Sequence, residues 1–132
     1  MLHFETVEPG TLSVLRQLMD ISELSGFNLV GGTALSLMYG HRISVDLDLF
    51  STSKFDNEVL INALKQKFGQ NFVMEDKPAF FGIFCYINNV KVDIVRFPHP
   101  LIRPTLEIDN IRMYSPEEII AMKVQAILGR GK

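Results

Sequence analysis

Apolar residues recur every three to four positions in four parts of the chain, and this spacing predicts four helices. The second of them should end at Gly40, because glycine readily takes the left-handed conformation that closes a helix. The fourth opens on Ser115-Pro116-Glu117-Glu118, which has the pattern of a capping box with proline in the first turn. The predicted helices run from Thr11 to Leu24, from Thr33 to Tyr39, from Asp56 as N-cap to Gly69, and from Ser115 toward Gly129.

Shorter apolar or alternating runs predict strands between these helices. In the clearest of them, Ile43–Phe50, the residues Ser44, Asp46 and Asp48 lie opposite a wholly apolar face. Asn88-Asn89 tolerates the left-handed conformations of a two-residue hairpin turn, so the strands on either side of it should pair antiparallel. The predicted strands are Phe27–Val30, Ile43–Phe50, Phe80–Ile87, Val90–Phe97 and a short edge strand within Leu106–Met113.

Length and composition fit one packed domain, because 132 residues with 47% hydrophobic residues can form one core but hardly two. The formal net charge of −2 excludes a global basic field, so a polynucleotide partner would have to be bound locally. The single Cys85 cannot form an internal disulfide and is expected to pack as a small apolar residue. With no long apolar stretch and no signal-peptide pattern, we expect a soluble cytoplasmic protein without a membrane partner.

A paired carboxylate is the first sign of chemistry in the sequence. Asp46 and Asp48 are two positions apart on a predicted strand, so both side chains leave the same face. Two like charges at that spacing repel unless a cation lies between them, and Mg²⁺ prefers carboxylate and phosphate oxygens. The alternative is that both aspartates are simply solvated on an exposed strand face.

Two further features stand beside this pair. Gly31-Gly32 lies between a strand and a helix, where a bare backbone lets phosphate approach N–H groups at the positive end of the helix dipole. The alternative for these glycines is a tight turn. Asp93 interrupts an otherwise apolar strand, where an unpaired carboxylate is costly unless a metal or a salt bridge to Lys91 or Arg96 compensates it.

These residues carry a resemblance to a known family. The segments 30–35 and 40–50, Val-Gly-Gly-Thr-Ala-Leu and Gly-His-Arg-Ile-Ser-Val-Asp-Leu-Asp-Leu-Phe, resemble the signature of the AbiEii/AbiGii-toxin-like nucleotidyltransferases of the polymerase-β-like superfamily. The segment Glu118–Ile127 is similar to that family's lysine-bearing helix. The resemblance implies an α+β fold with a nucleotidyltransferase-like mixed β-sheet flanked by helices, and it implies Asp93 as the third carboxylate.

The resemblance also implies a function. Asp46, Asp48 and Asp93 would hold two Mg²⁺ ions and catalyse transfer of a nucleoside monophosphate from a nucleoside triphosphate, ATP or GTP among them, to an acceptor hydroxyl. Gly31, Gly32 and Thr33 would bind the nucleotide. The acceptor would be an RNA such as tRNA, or a protein, and the chain would be the toxin-like member of a toxin–antitoxin or phage-defence system with a cognate antitoxin.

Three other positions are candidates for nucleotide binding. Lys123 lies in the apolar stripe of the last predicted helix, where it either reaches the triphosphate or extends its charge to water. Arg42 would contact phosphate or be solvated, Ser44 shares the carboxylate face, and His41 is expected to be structural or at the surface. In the family a further helical region follows the lysine-bearing helix, so residues 1–132 are expected to form a single domain without that region.

Two rival functions remain open from the sequence. An inactive nucleotide-binding or antitoxin-binding module of the same fold would keep the architecture without catalysis. A metal-dependent phosphohydrolase would usually bring histidines to the carboxylates, and His3, His41 and His99 show no such grouping.

Overall fold

A computed structural model of the chain describes residues 2–40, 43–75, 77 and 81–130. This described part contains four helices, seven strands and three 3₁₀ segments. In chain order the helices and strands are α1 (Pro9–Met19), β1 (Asn28–Val30), α2 (Gly31–Tyr39), β2 (Leu47–Ser51), α3 (Asn57–Phe68), β3 (Phe72–Met74), β4 (Gly82–Ile87), β5 (Val90–Arg96), β6 (Leu106–Ile108), β7 (Ile111–Met113) and α4 (Pro116–Arg130). The 3₁₀ segments are Phe4–Thr6, Ser22–Leu24 and Gly69–Asn71.

The seven strands form one mixed sheet in the order β3-β4-β5-β2-β1-β7-β6. β2 pairs parallel with β5 and antiparallel with β1, so it lies at the centre of the sheet. β1 pairs parallel with β7, and the remaining neighbours are antiparallel. The predicted α+β fold with a mixed sheet and flanking helices is therefore confirmed.

The hydrophobic core buries one face of the central strands, so only the opposite face can carry a functional site. Leu47 and Leu49 of β2, with Val92 and Ile94 of β5, are at most 1% exposed and belong to one core cluster. α1 contacts β5 and β7, and α3 contacts β3 and β4. Because side chains alternate along a strand, the intervening residues of β2 and β5 lie on the opposite, half-buried face.

Helix positions were predicted well, and helix ends less so. α1 begins at Pro9, where the Glu8 side chain accepts a hydrogen bond from the Thr11 N–H at 3.0 Å, and it ends at Met19 rather than Leu24. α2 begins at Gly31 itself, so both glycines belong to its first turn. Asp56 caps α3 as predicted, with its Oδ1 accepting from the Glu58 N–H at 2.8 Å.

The predicted strand Ile43–Phe50 was too long at its start. Ile43 and Val45 are 67% and 54% exposed, and Ser44 makes a single bridge to Val7 outside the sheet. The Ser44 N–H donates to the Thr6 carbonyl at 2.8 Å, so this segment is held by the N-terminal part of the chain and not by the central strands. Sheet pairing starts only at Leu47.

Two elements near the sheet edges depart from the predictions. Leu106–Met113 is a β6–β7 hairpin and not one strand, because Asp109 and Asn110 both adopt positive φ in the turn. β3 was not predicted. The hairpin at Asn88-Asn89 is confirmed, with φ values of 51° and 66°.

Within the described ranges, no helix has the length and apolar character needed to cross a membrane.

Candidate active site

The parallel pairing of β2 with β5 brings two of the predicted carboxylates together. Asp48 and Asp93 are register partners, so their side chains leave the same face of adjacent strands. Adjacent strands lie about 5 Å apart, which places the two carboxyl groups within direct electrostatic range. The sequence predicted that these aspartates share one site, and the register shows how two of them become neighbours.

Gly31 lies directly beside Asp48. Val30 at the end of β1 is the antiparallel partner of Asp48, and the chain then turns into α2 with Gly31 at φ 75°. A Cβ atom at Gly31 would lie 2.7 Å from Oδ2 of Asp48, closer than non-bonded contact allows. The positive φ favours glycine here, and any larger residue would also have to displace the carboxylate of Asp48.

The first turn of α2 faces this carboxylate with no side-chain cap. Val30 occupies the N-cap position, and its side chain has no hydrogen-bond acceptor for the first N–H groups. Helix N-termini favour anions because these N–H groups carry partial positive charge. Gly31 and Gly32 thus present backbone donors, unshielded by side chains of their own, beside the paired aspartates.

The carboxylates perturb one another. Burial, followed by the charges of Asp93 and Asp46, raises the pKa of Asp48 to about 6, and Lys91 acts in the opposite direction. Burial is also the largest cause of the raised pKa of Asp93, which Lys91 opposes and Glu75 and Asp46 reinforce. The site therefore concentrates negative charge that it does not neutralise by itself.

Lys91 does not form a salt bridge with Asp93, which was one of the alternatives to a metal that the sequence allowed. Its Nζ lies 3.8 Å from Oε1 of Glu75, and it influences Asp93 only through its field. Oδ1 of Asp93 is buried and has no hydrogen-bond partner among the described residues. A buried carboxylate oxygen without a partner is costly, and a cation would remove that cost.

The donor set fits a hard divalent cation such as Mg²⁺, because all of the candidate ligands are carboxylate oxygens and one of them is buried and unpaired. In the described residues, however, no three Asp, Glu, His or Cys side chains are already grouped closely enough to hold one ion. Asp48 and Asp93 form the pair, whereas Asp46 is exposed on the segment that precedes β2. The role of Asp46 as a third ligand stays a prediction.

Thr33 and Ser44 make contacts in this site that the sequence did not predict. Both are buried, and their hydroxyl groups hydrogen-bond to each other. The Thr33 hydroxyl also contacts the backbone carbonyl of Asp46. These contacts tie the start of α2 to the segment that carries Asp46, so the two residues position that carboxylate, and direct nucleotide contacts from them stay a prediction.

Asp48 separates two clefts. The first, about 190 Å³, is polar and is lined by Gly32, Thr33, Ile43, Ser44, Val45, Asp46 and Asp48. The second, about 260 Å³, is mostly apolar and is lined by Val30, Gly31, Asp48, Phe50, Ile119, Met122 and Lys123. The structure thus brings Lys123 of α4 to the site, where it is exposed beside an apolar wall. Arg42 and His41 lie outside the described residues.

Sequence reasoning did not single out the apolar wall of this second cleft. Phe50 lies two positions beyond Asp48 on β2, so the strand alternation that identified Asp46 and Asp48 also places Phe50 on their face. Met122 comes from α4, and its position beside β2 depends on tertiary packing. The strand alternation in the sequence could therefore have identified Phe50, whereas no sequence pattern could have identified Met122.

Proteins of known structure share this fold. A candidate nucleotidyltransferase from H. pylori is 22% identical with a TM-score of 0.56, over 89% of this chain and 59% of that one. A candidate nucleotidyltransferase from Thermotoga maritima, TM1012, is 18% identical with a TM-score of 0.63, over 94% of this chain and 88% of that one. At such identities the likeness establishes the fold alone.

Sequence relatives extend the comparison. The uncharacterized protein aq_aa25 of Aquifex aeolicus is 24% identical over 121 residues, which are 89% of this chain and 57% of that protein. The chain therefore spans less than two thirds of the length of the Aquifex and H. pylori relatives. A family profile described as "Nucleotidyl transferase AbiEii toxin, Type IV TA system" matches residues 13–132. The chain belongs to this AbiEii nucleotidyl transferase family.

Proposed function

We propose that the chain is a Mg²⁺-dependent nucleotidyltransferase that transfers a nucleoside monophosphate from a nucleoside triphosphate to an acceptor hydroxyl. The observation that carries this proposal is the register of Asp48 with Asp93 on adjacent parallel strands, with Gly31 packed against Asp48 at the start of α2. Two carboxylates beside an uncapped helix N-terminus provide ligands for cations and donors for phosphate in one place.

Each element of the site has a role in this proposal. Asp48 and Asp93, with Asp46, would hold two cations, and the N–H groups of Gly31 and Gly32 would orient the triphosphate. Bound Mg²⁺ would neutralise charge on the phosphates as pyrophosphate departs. Asp93 would also help to take the proton from the attacking hydroxyl. Positioning and charge neutralisation then supply most of the rate, and no covalent nucleophile is needed.

The acceptor and the biological setting belong to the same proposal. Family membership supports a toxin that acts within a type IV toxin–antitoxin system. An RNA such as tRNA, or a protein, would be the molecule modified. A cognate antitoxin would then be a partner. The alternative is a module of the same fold that binds nucleotide or antitoxin without catalysing transfer.

Label transfer tests the proposal directly. The 132-residue chain is incubated with Mg²⁺, each α-phosphate-labelled nucleoside triphosphate in turn, and either total tRNA or a protein extract. We expect label in one acceptor fraction with wild type, and a loss of at least about 100-fold with Asp48→Asn or Asp93→Asn, since each removes a charge that holds cations. Asp109→Asn is the matched control, because Asp109 lies in the exposed β6–β7 turn.

The outcomes separate the two functions. Label transfer that survives both Asp48→Asn and Asp93→Asn contradicts the proposed site. Nucleotide binding that depends on Mg²⁺ and on Asp48, without label in any fraction, favours the non-catalytic module. Label on an RNA acceptor is released by ribonuclease and survives protease treatment. Label on a protein acceptor shows the opposite behaviour.

A further inference from the structure

The cleft of about 260 Å³ beside Asp48 has an apolar lining that binding of cations and triphosphate does not require. Phe50 on β2 and Ile119 and Met122 on α4 line it, and its polar side chains among the described residues are Asp48 and Lys123. A site for cations and triphosphate alone would have no use for this wall. The polar cleft on the other side of Asp48 already provides the oxygen-rich surface.

The two clefts meet at the paired carboxylates, so one ligand can extend across both. Asp48 and the adjoining Gly31-Gly32 turn contribute to both walls. Phe50 lies one pleat, about 7 Å, farther along β2 than Asp48, which is about the length of a sugar between a phosphate and a base. A nucleotide has this same order of groups, with charged phosphates at one end and a flat apolar ring at the other.

The aromatic surface continues beyond Phe50. The Phe50 and Phe97 ring centroids are 5.5 Å apart, and Phe97 lies 4.5 Å from the ring of His99. Phe97 is held next to β2 by its backbone N–H, which donates to the Ser51 carbonyl at 2.8 Å. Packing against Phe97 restrains the ring of Phe50, so that its position in the cleft wall is fixed before a ligand arrives.

We propose that this cleft binds the nucleobase of the triphosphate, between the Phe50 ring and the Met122 side chain, with Lys123 at its phosphate end. The inference rests on the proposed function and adds the part of the substrate that the carboxylates cannot recognise. Every described side chain along the apolar wall lacks a hydrogen-bonding group for the edge of a base. The cleft therefore holds the base by stacking and apolar contact and discriminates weakly among the four bases.

The experiment compares Mg²⁺-dependent binding of ATP, GTP, CTP, UTP and inorganic tripolyphosphate by calorimetry. We expect Phe50→Leu and Met122→Ala each to weaken nucleotide binding about 5- to 30-fold, the lower part of the usual range for a lost base contact, and to leave tripolyphosphate binding unchanged. Ile120→Ala is the matched control, because Ile120 is exposed on α4 outside the cleft. The four nucleotides should bind wild type within about tenfold of one another.

Each outcome bears on one of the two proposals. Unchanged nucleotide affinity in both Phe50→Leu and Met122→Ala, with loss of both ligands in Asp48→Asn, overturns the nucleobase cleft and leaves the proposed function intact. An equal loss of nucleotide and tripolyphosphate in the cleft variants also overturns it, because the wall would then act on the phosphates. Failure of wild type to bind either ligand with Mg²⁺ overturns the proposed function itself. A preference for one base above about 100-fold contradicts recognition by stacking alone.

Discussion

The position of Asp48 lowers the stability of the protein in the absence of a cation. Asp48 is half-buried beside Asp93, and its pKa is raised to about 6 because the ionised form is desolvated and repelled. A residue selected for folding alone would be neutral at this position. The same features that destabilise the carboxylate make it a strong ligand for a cation, so function accounts for what packing does not.

The pH dependence of stability tests this interpretation of Asp48. Between about pH 4 and about pH 6 the unfolded chain loses the Asp48 proton while the folded chain keeps it, so stability falls as pH rises and then levels off. In metal-free buffer, we expect the free energy of unfolding of Asp48→Asn to be about 1–2 kcal/mol higher than that of wild type at about pH 7.5. Near pH 4 the two proteins should be equally stable. Urea denaturation at both pH values measures this, and a less stable variant at the higher pH contradicts it.

Lys123 can be assigned by a substitution that separates charge from packing. Lys123→Met keeps length and apolar contact but removes the cationic group that lines the apolar cleft beside Asp48. We expect unchanged stability and nucleotide affinity lower by about 1–3 kcal/mol, the scale of a charged hydrogen bond. An unchanged dissociation constant together with an unchanged melting temperature would identify Lys123 as a surface residue whose stem packs on the cleft wall.

At the scale of elements, the sequence predicted what depends on neighbours in the chain and missed what depends on distant ones. The Asn88-Asn89 turn and the Asp56 cap were predictable, because turn and cap chemistry is local. The capping box at α4 was half right. Ser115 Oγ accepts from the Glu118 N–H at 3.3 Å, but the Glu118 carboxylate accepts from the backbone N–H groups of Ile102 and Arg103.

The end of α1 shows the same limit. The apolar spacing continued to Leu24, yet α1 ends at Met19, and Arg112 of β7 binds backbone carbonyls around the bend that follows. Its Nη1 donates to Met19 at 3.3 Å, its Nη2 to Leu24 at 3.1 Å and its Nε to Phe27 at 3.2 Å. More than eighty residues separate this arginine from the carbonyls it binds, so no local pattern could reveal it.

Arg112→Lys tests whether this contact holds α1 to β7. A lysine carries one ammonium group and cannot supply the planar fork that reaches three carbonyls, so we expect a loss of about 1–3 kcal/mol in the free energy of unfolding. Arg103→Lys, at an exposed position, is the matched control and should change stability little. Denaturant titration measures both. Equal stability of Arg112→Lys and wild type would show that solvent satisfies these carbonyls equally well.

For the molecule as a whole, the residue pattern predicted the parts of the candidate site, and the expectation that they come together rested on the family resemblance. The Asp46-Asp48 alternation, the Gly31-Gly32 turn and Asp93 were each visible in the sequence, but their juxtaposition depends on β2 lying between β1 and β5. Parallel pairing of β2 with β5 joins strands that are distant in the chain, and no turn sets its register. The nucleobase cleft depends in addition on where α4 packs.

The central position of β2 and β5 links cation binding to the stability of the entire domain. Both strands lie in the middle of the sheet, and their opposite face forms the core, so the site is lost only when the domain unfolds. A cation that binds only the folded state then stabilises it, by about 1.4 kcal/mol at about ten times the dissociation constant.

That linkage predicts a Mg²⁺-specific rise in melting temperature. We expect wild type to melt about 4–6 °C higher in Mg²⁺ at that concentration than in NaCl of equal ionic strength, since a domain of this size gains several degrees per kcal/mol. Asp93→Asn should melt at the same temperature in both salts, because it lacks a carboxylate of the central pair. Asp109→Asn should respond as wild type does. If Asp93→Asn shows the full rise, the stabilising ion binds elsewhere, and the paired carboxylates are not its ligands.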